Sequence, residues 1–314
     1  MWENEKKRFA GCVFLLLCTA ALLWACSGRQ QAEQAQPPVM GIVFTASEDD
    51  WKDEQYRVLE EQAQAHGFDR MVMRTERTQQ AQIDAIRALI VYRVDVIVFS
   101  PIVQSGWENV LREAQSAQIP VITVDKTLQQ REGQAPVSSV SFPYRRAAQQ
   151  AAAYVSGEGR GIAAELYGTL NASSAQEISR GLREGLEDSG TELKYSLCGD
   201  YLRSRGREIM ETYMQAYPEL AAVIAQNDAM ALGAIDYLKQ CGRQPGDDIA
   251  LYVFGGGAEV LDCLKNGEIT LVVQFDNLAL AHETAHTALQ LLEDPETPLQ
   301  REARFSVLTE EAVG

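Results

Sequence analysis

Short hydrophobic runs and longer amphipathic stretches alternate along the chain from residue 39 onward. The short runs are rich in valine and isoleucine and end in turn residues, as buried strands do, whereas the longer stretches repeat their apolar positions with a helical period. Strands are predicted at residues 39–44, 70–73, 94–100, 120–124, 138–141, 161–167, 193–197, 222–225, 249–254 and 269–274. Helices are predicted at residues 53–66, 79–92, 107–117, 144–156, 175–186, 205–217, 230–241, 258–266 and 278–292.

This alternation indicates βαβ units and parallel sheets, and the series divides into two parts at about residue 138. The length of 314 residues also suits two domains with hydrophobic cores of their own. In such α/β sheets, ligands bind beyond the carboxyl ends of the strands. The residues that directly follow each strand are therefore the candidate functional residues.

The first 25 residues differ in character from the rest of the chain. A charged start is followed by residues 9–25, which are apolar except for Thr19, as in the n-region and h-region of a secretory signal. The run ends in Leu23-Trp24-Ala25-Cys26, which resembles the lipobox of bacterial lipoproteins. That resemblance implies removal of residues 1–25 and lipidation of Cys26, and a plain N-terminal anchor helix is the alternative. Residues 26–38 are predicted to be a flexible tether to the membrane surface.

The formal net charge of −16 argues against nucleic acid as a partner, because a phosphate backbone requires a clustered basic face. Beyond Cys26 the chain has Cys198, Cys241 and Cys263, without the close spacing of a zinc or redox site. We expect three separate buried thiols, and one disulfide is the alternative. No cofactor is indicated.

Polar and aromatic side chains recur directly after the predicted strands. Examples are Trp51, Asp125-Lys126, Tyr201 and Asn227. Carboxylates and amides can hydrogen-bond adjacent hydroxyls, and aromatic faces cover the C–H patches of a sugar ring. Any one of these residues is equally typical of a turn or a helix cap. Their recurrence after strand upon strand favours a small polyhydroxylated ligand.

Four segments, at residues 100–107, 119–126, 199–206 and 226–234, resemble the type I periplasmic sugar-binding proteins in order and spacing. These are the ribose and galactofuranose binders that deliver solute to ABC transporters, and Ser105-Gly106-Trp107 is most similar to the galactofuranose branch. The resemblance implies two doubly wound parallel-sheet lobes joined by a hinge. The lobes would comprise residues 39–138 plus 275–300 and residues 139–274 plus 301–314.

The same resemblance implies a set of ligand-binding residues. They are Trp51, Lys52, Asp125, Lys126, Tyr201, Asn227 and Gln274. Three positions depart from the family pattern. Lys126 replaces a forked guanidinium with a point charge. Ile178 stands where the family has a cleft arginine, for which nearby Arg180 is the substitute candidate, and Gly255 stands where a ligand-binding aspartate is expected.

The function that this resemblance implies is non-enzymatic. We expect an exported, monomeric protein, anchored through lipid at the cell membrane and facing the periplasm or the cell exterior, that captures a monosaccharide and delivers it to an ABC permease. A sensor that presents the sugar to a membrane receptor kinase would use the same site, and the sequence does not distinguish the two.

A third hypothesis is that the chain is an enzyme. His282-Glu283-Thr284-Ala285-His286 fits H-E-x-x-H, in which two imidazoles on one helix face bind zinc and the glutamate is a general base. A catalytic zinc also needs a third protein ligand, and the only other histidine, His66, lies in a different predicted helix. The apolar neighbours of the motif make it typical of a packing helix, so no metal site is expected.

Overall fold

The computed structural model describes residues 2, 36–47, 49–157, 161–295 and 297–313. Apart from Trp2, the predicted signal segment, Cys26 and the tether up to residue 35 lie outside the described residues. The strands are β1 Val39–Thr45, β2 Asp69–Thr75, β3 Val96–Phe99, β4 Val121–Asp125, β5 Ser138–Ser141, β6 Ile162–Tyr167, β7 Glu192–Cys198, β8 Ala222–Ala225, β9 Ala250–Gly255, β10 Leu271–Phe275, β11 Gln300–Glu302 and β12 Phe305–Leu308. The helices are α1 Asp50–Ala65, α2 Gln79–Tyr92, α3 Glu108–Ser116, α4 Tyr144–Gly157, α5 Ser173–Leu186, α6 Arg203–Ala216, α7 Asp228–Gln240, α8 Ala258–Lys265, α9 Asn277–Glu293 and α10 Glu310–Val313.

The strands form two six-stranded sheets. The first has the order β11-β5-β4-β3-β1-β2, and all its neighbours are parallel. The second has the order β12-β10-β9-β8-β6-β7 and is parallel except for β12, which pairs antiparallel with β10. The predicted fold of two α/β lobes with parallel sheets is confirmed. β11, β12 and α10 were not predicted.

Each sheet is covered by helices on both faces. In β1, Ile42 packs in one hydrophobic cluster with Leu59 of α1, whereas its neighbour Val43 packs in another with Leu89 of α2. Successive side chains of a strand point to opposite faces, so a strand covered on both sides is apolar throughout. All residues of β3 and β8 are accordingly buried. This is why these strands appear in the sequence as unbroken hydrophobic runs.

The described chain passes between the two sheets after β5, between β10 and α9, and between β11 and β12. The three passages lie side by side: the Ala303 N–H donates to the Ser141 carbonyl (2.8 Å), and the Asp276 N–H donates to the Arg304 carbonyl (3.2 Å). An ion pair between Arg304 and Asp276 (2.6 Å) joins two of them again. The first sheet includes residues 139–141 and 301–302, which the expected lobe boundaries assign to the second lobe.

Cys198, Cys241 and Cys263 are free thiols, of which only Cys263 is buried, so the expectation of three buried thiols is wrong for the other two. Among the helices of the described residues, none combines the length and the apolar character that a membrane crossing requires.

Candidate functional site

A cavity of about 90 Å³ lies between the two lobes, at the carboxyl ends of their strands. The first lobe contributes polar groups after β1, β2, β3 and β4, and the second contributes them after β6, β7 and β8. The polar and charged residues that line it are Thr45, Ser47, Asp49, Lys52, Arg77, Ser100, Asp125, Lys126, Thr169, Ser174, Gln226 and Asn227. Its aromatic lining consists of Trp51, Tyr56, Tyr144, Tyr201, Phe254 and Phe275.

Asp125, the last residue of β4, is the centre of a buried ionic network. Its Oδ2 atom accepts a hydrogen bond from Lys52 Nζ (2.7 Å), and its Oδ1 atom accepts one from the hydroxyl of Tyr144. Lys52 is held further by the side chains of Gln55 and Ser100 and lies 5.1 Å from the centre of the Tyr56 ring. Because Asp125 already has these partners, it is a fixed negative charge in the wall of the cavity.

The pKa values of this pair follow from their contact. Burial alone would raise the pKa of Asp125, but the positive charges of Lys52 and Lys126 outweigh burial and the pKa is lowered. Burial likewise opposes the charged form of Lys52, and Asp125 more than compensates, so the pKa of Lys52 is raised. Both groups are therefore ionised at neutral pH.

The ammonium group of Lys126 has more distant partners than that of Lys52. Its Nζ atom lies 3.9 Å from Asp125 Oδ2 and 5.2 Å from the centre of the Tyr201 ring. Burial lowers its pKa to about 8, and the nearby charges of Lys52 and Arg77 act in the same direction. A ligand oxygen that accepted a hydrogen bond from this ammonium group would relieve part of the cost of burying it.

Two helix caps meet across the cavity. Asp49 caps α1 by accepting from the N–H of Trp51 (3.0 Å), and Asn227 caps α7 by accepting from the N–H of Met230 (3.1 Å). The amide of Asn227 also donates to the Asp49 carboxylate (2.7 Å), which links the second lobe to the first. Burial raises the pKa of Asp49 despite these hydrogen bonds.

Further contacts between the lobes surround the cavity. Arg77 donates to the carbonyl of Asp200 (2.5 Å), and the N–H of Thr127 donates to the hydroxyl of Ser173 (2.8 Å). The side chain of Gln104 donates to Gln176 (2.8 Å). The two lobes are thus closed on each other around the cavity.

Three residues at or next to the cavity have a left-handed backbone conformation. Asp125 has a φ of 70°, and the consecutive residues Asp200 and Tyr201 have φ values of 52° and 60°. Such left-handed conformations are costly for residues other than glycine and persist where the surrounding structure holds them, often at ligand sites. The strained turn presents the Tyr201 ring to the cavity, and the Tyr201 hydroxyl lies 3.0 Å from that of Ser174.

The structure brings together most of the residues that the family resemblance implied. Trp51, Lys52, Asp125, Lys126, Tyr201 and Asn227 all line the cavity. The indole N–H of Trp51 already donates to the Phe275 carbonyl (3.3 Å), so this residue offers only ring surface. The ligand-binding roles of these residues remain predictions.

Gln274 and Arg180 do not belong to this group. Gln274 is absent from the lining and its amide points to the Gly256 carbonyl (3.5 Å). Arg180 is half exposed and pairs with Glu177 on its own helix (2.8 Å). It lies two positions after Ile178, which is buried and lines the cavity, so the two side chains point about 160° apart around the axis of α5. Neither residue lines the cavity between the lobes.

Several lining residues were not predicted. The main ones are Asp49, Tyr56, Arg77, Ser100, Tyr144 and Gln226. Asp49 could have been found from its position as a helix cap just after β1. Tyr144 gave no such signal, because it begins a helix of the second lobe and reaches Asp125 of the first only through the fold.

The space beside Gly255, where the family pattern has a ligand-binding aspartate, is occupied by Asp228. A Cβ atom at Gly255 would lie 1.9 Å from Asp228 Oδ1. The carboxylate of Asp228 accepts hydrogen bonds from the N–H groups of Gly256 (3.0 Å) and Gly257 (2.6 Å). A carboxylate at position 255 could not be added without displacing Asp228.

Two α/β lobes that close on a polar and aromatic cavity define a two-lobed solute-binding protein. The chain belongs to the periplasmic binding protein domain family, whose sequence profile matches residues 40–296. The predicted family is thereby confirmed.

Three relatives illustrate this membership. The galactofuranose-binding protein YtfQ of Escherichia coli is 29% identical over 247 residues, which cover 76% of this chain and 78% of that protein. The ribose import binding protein RbsB of Bacillus subtilis is 26% identical over 217 residues, 68% of each chain. The binding protein of the arabinose ABC transporter from Shewanella sp. ANA-3, solved with α- and β-L-arabinofuranose, has a TM-score of 0.83 and 25% identity over 88% of this chain and 93% of that one. These similarities do not favour the receptor-sensor or zinc-protease alternatives.

Proposed function

We propose that this protein captures a monosaccharide between its lobes and delivers it to an ABC importer. The observation that carries the proposal is the closed cavity, in which both lobes present hydrogen-bonding groups beside aromatic rings. Space of about 10–15 Å³ accommodates one water in such a cavity, so 90 Å³ has room for about six to nine waters, or for one sugar ring. The names of the three relatives support a sugar as the ligand.

The chemistry of the lining suits a neutral sugar. Asp125 offers carboxylate oxygens to sugar hydroxyl donors, and Lys126 offers N–H donors to hydroxyl oxygens. The ring of Tyr201 can cover a C–H face of the sugar from the second lobe, and the ring of Trp51 can do so from the first. A molecule that bonds both lobes at once binds the closed form more tightly and shifts the population toward it.

We also propose that the protein is exported as a monomer and anchored through lipid on Cys26. The support is the signal-like segment and its Leu-Trp-Ala-Cys ending, together with the periplasmic binding protein family. Metabolic labelling with a fatty acid tests the anchor: the wild-type chain should incorporate the label and the Cys26→Ser variant should not. Labelling of Cys26→Ser would place the acyl group elsewhere.

A thermal-shift screen of the purified full chain tests the sugar-binding proposal. Galactofuranose, ribose and arabinose are the first ligands, and a ligand that binds only the folded state at one hundred times its Kd stabilises it by about 2.7 kcal/mol. Tyr201→Ala should abolish the shift, whereas Tyr154→Ala, an exposed tyrosine on α4, should keep it. No shift with any monosaccharide, or an equal shift in both variants, would contradict the proposal.

A further inference from the structure

The three histidines of the chain lie together on the surface of the first lobe. His282 and His286 are one helical turn apart on α9, and His66 is the C-cap residue directly after α1, which packs against α9. The ring centres are 5.2 Å apart for His66 and His282, 5.1 Å for His66 and His286, and 4.5 Å for His282 and His286. Each ring offers a nitrogen, and these nitrogens lie within 4.8 Å of one another. His66 is thus the third ligand that the sequence did not connect to the H-E-x-x-H pair.

A hydrogen bond determines which ring nitrogen of His66 is free to bind a metal ion. Its Nδ1 atom lies 2.7 Å from the carbonyl oxygen of Gln62, one turn earlier on α1. A carbonyl oxygen only accepts, so Nδ1 carries the proton and Nε2 keeps its lone pair free for a metal ion. Metal-binding histidines commonly donate their second N–H to a carbonyl in this way, which orients the ring and raises its basicity.

The dimensions suit a tetrahedral ion. Zn–N bonds of about 2.0–2.1 Å separate the nitrogens of a tetrahedral site by about 3.3 Å. His282 and His286 are exposed, so their side chains can rotate to close the present separations to this value. Imidazole ligands favour Zn²⁺ and its neighbours in the first transition row over Mg²⁺ and Ca²⁺, which prefer oxygen.

We propose that His66, His282 and His286 form a binding site for a divalent transition-metal ion of the zinc class, with the fourth position open to water. The ion would join the end of α1 to the middle of α9. Both helices belong to the first lobe, where Asn277 of α9 already bonds the side chain of Gln55 (3.1 Å) and the carbonyl of Trp51 (3.0 Å) on α1. The ion adds a second connection at the opposite end of α1.

The site is separate from the cavity between the lobes. The cavity residues Trp51 and Lys52 are in the first turn of α1, and His66 directly follows its last residue. A helix of 16 residues is about 24 Å long. Because the three histidines lie on one lobe, the ion should bind equally well with the lobes open or closed.

Calorimetric titration of the full chain with zinc chloride, on protein purified without a histidine tag, tests the proposal. We expect one ion per chain. Loss of a group that hydrogen-bonds to a metal ligand typically costs about 10–100-fold in metal affinity, so removal of a ligand itself in His66→Gln or His286→Ala should weaken binding at least tenfold. Glu283→Gln, the matched change between the two α9 histidines, should leave affinity unchanged, and magnesium chloride should give no heat of binding.

A second measurement separates metal binding from folding. With EDTA present, His286→Ala should melt at the wild-type temperature, because His286 is exposed. After the EDTA has been removed, zinc should raise the melting temperature of the wild type and not that of the variant. Unchanged zinc affinity in both histidine variants, loss of binding in Glu283→Gln, or one ion per two chains would overturn the assignment of a three-histidine site within one chain.

Discussion

Asp125 is both a structural residue and a candidate ligand-binding residue. It is 3% exposed, and its carboxylate oxygens contact Lys52, Tyr144 and Ser100. Removal of one partner from a buried ion pair leaves the other charge uncompensated, which is more costly than removal of both. A loss of sugar binding in an Asp125 variant would therefore combine a lost contact with a disturbed cavity.

The expected result for Asp125→Ala is a fall in the free energy of unfolding of about 3–5 kcal/mol, because Lys52 would remain buried without its partner. Adding Lys52→Met should recover most of this loss. Urea denaturation of the single and double variants measures both effects. A single variant as stable as the wild type would show that Lys52 does not depend on Asp125.

Gly255 gives a test of close packing at the site. Gly255→Ala should lower the free energy of unfolding by about 1–3 kcal/mol, since the new methyl group would overlap the Asp228 carboxylate. Gly157→Ala is the matched control, because nothing lies within 4 Å of a Cβ atom there. Equal stability of the two variants, measured by urea denaturation, would contradict the position of Asp228.

The sequence could predict which residues follow strands, and this was enough to find Asp125, Lys126 and Tyr201 at the cavity. It could not predict contacts that depend on helix direction. Arg180 is near Ile178 in sequence but on another face of α5, and Tyr144 reaches Asp125 only because α4 starts at the passage between the lobes. The histidine cluster could not be predicted for the same reason, because only the packing of α1 on α9 brings His66 to the other two histidines.

The residues that cap α1 and α7 also line the cavity, so the start of each helix and the site depend on the same side chains. Both helices begin earlier than the predicted residues 53 and 230, at Asp50 and Asp228, because Asp49 and Asn227 cap them. A periodic pattern of apolar residues predicts the body of a helix, but it does not predict a polar first turn that lies at a cavity. β11 and β12 were missed for a related reason, since β11 is exposed throughout and neither forms a buried hydrophobic run.

The first turn of α7 should make stability depend on pH. Burial, reinforced by the negative charge of Asp49, raises the pKa of Asp228 to about 8 from an ordinary value of 3.8. A raised carboxyl pKa gives stability that is complete below pH 3.8 and is lost as pH rises through 8. The free energy of unfolding should thus fall by at most about 1.4 kcal/mol per pH unit through this group.

Asp228→Asn should remove this contribution, because the amide does not titrate. Urea denaturation of the wild type and the variant between pH 5 and about pH 8 gives the difference in slope. The same slope in both proteins would contradict a raised pKa for Asp228.

At the scale of the whole molecule, closure depends on a few polar contacts between the lobes. The bonds of Asn227 to Asp49 and of Arg77 to Asp200 join the lobes beside the cavity. Individual contacts of this kind contribute only about 0.5–3 kcal/mol, so a ligand that bonds both lobes can shift the balance between open and closed forms.

Small-angle X-ray scattering should detect this shift. We expect the radius of gyration of the wild-type chain to fall when saturating sugar is added. Ligand-free Asn227→Ala should have a larger radius than the ligand-free wild type, because it loses the bond to Asp49. A radius that stays constant with sugar and in the variant would mean that the lobes do not move.

The variant Lys126→Met tests whether a sugar binds in the cavity between the lobes. This change removes an ammonium group that lines the cavity and is already costly to bury, so it should not lower the melting temperature. Calorimetric titration with the most stabilising sugar should show affinity reduced about tenfold or more, the cost of a lost charged hydrogen bond. Lys265→Met, an exposed lysine on α8, should bind as the wild type does. Wild-type affinity in Lys126→Met would place the sugar outside this cavity.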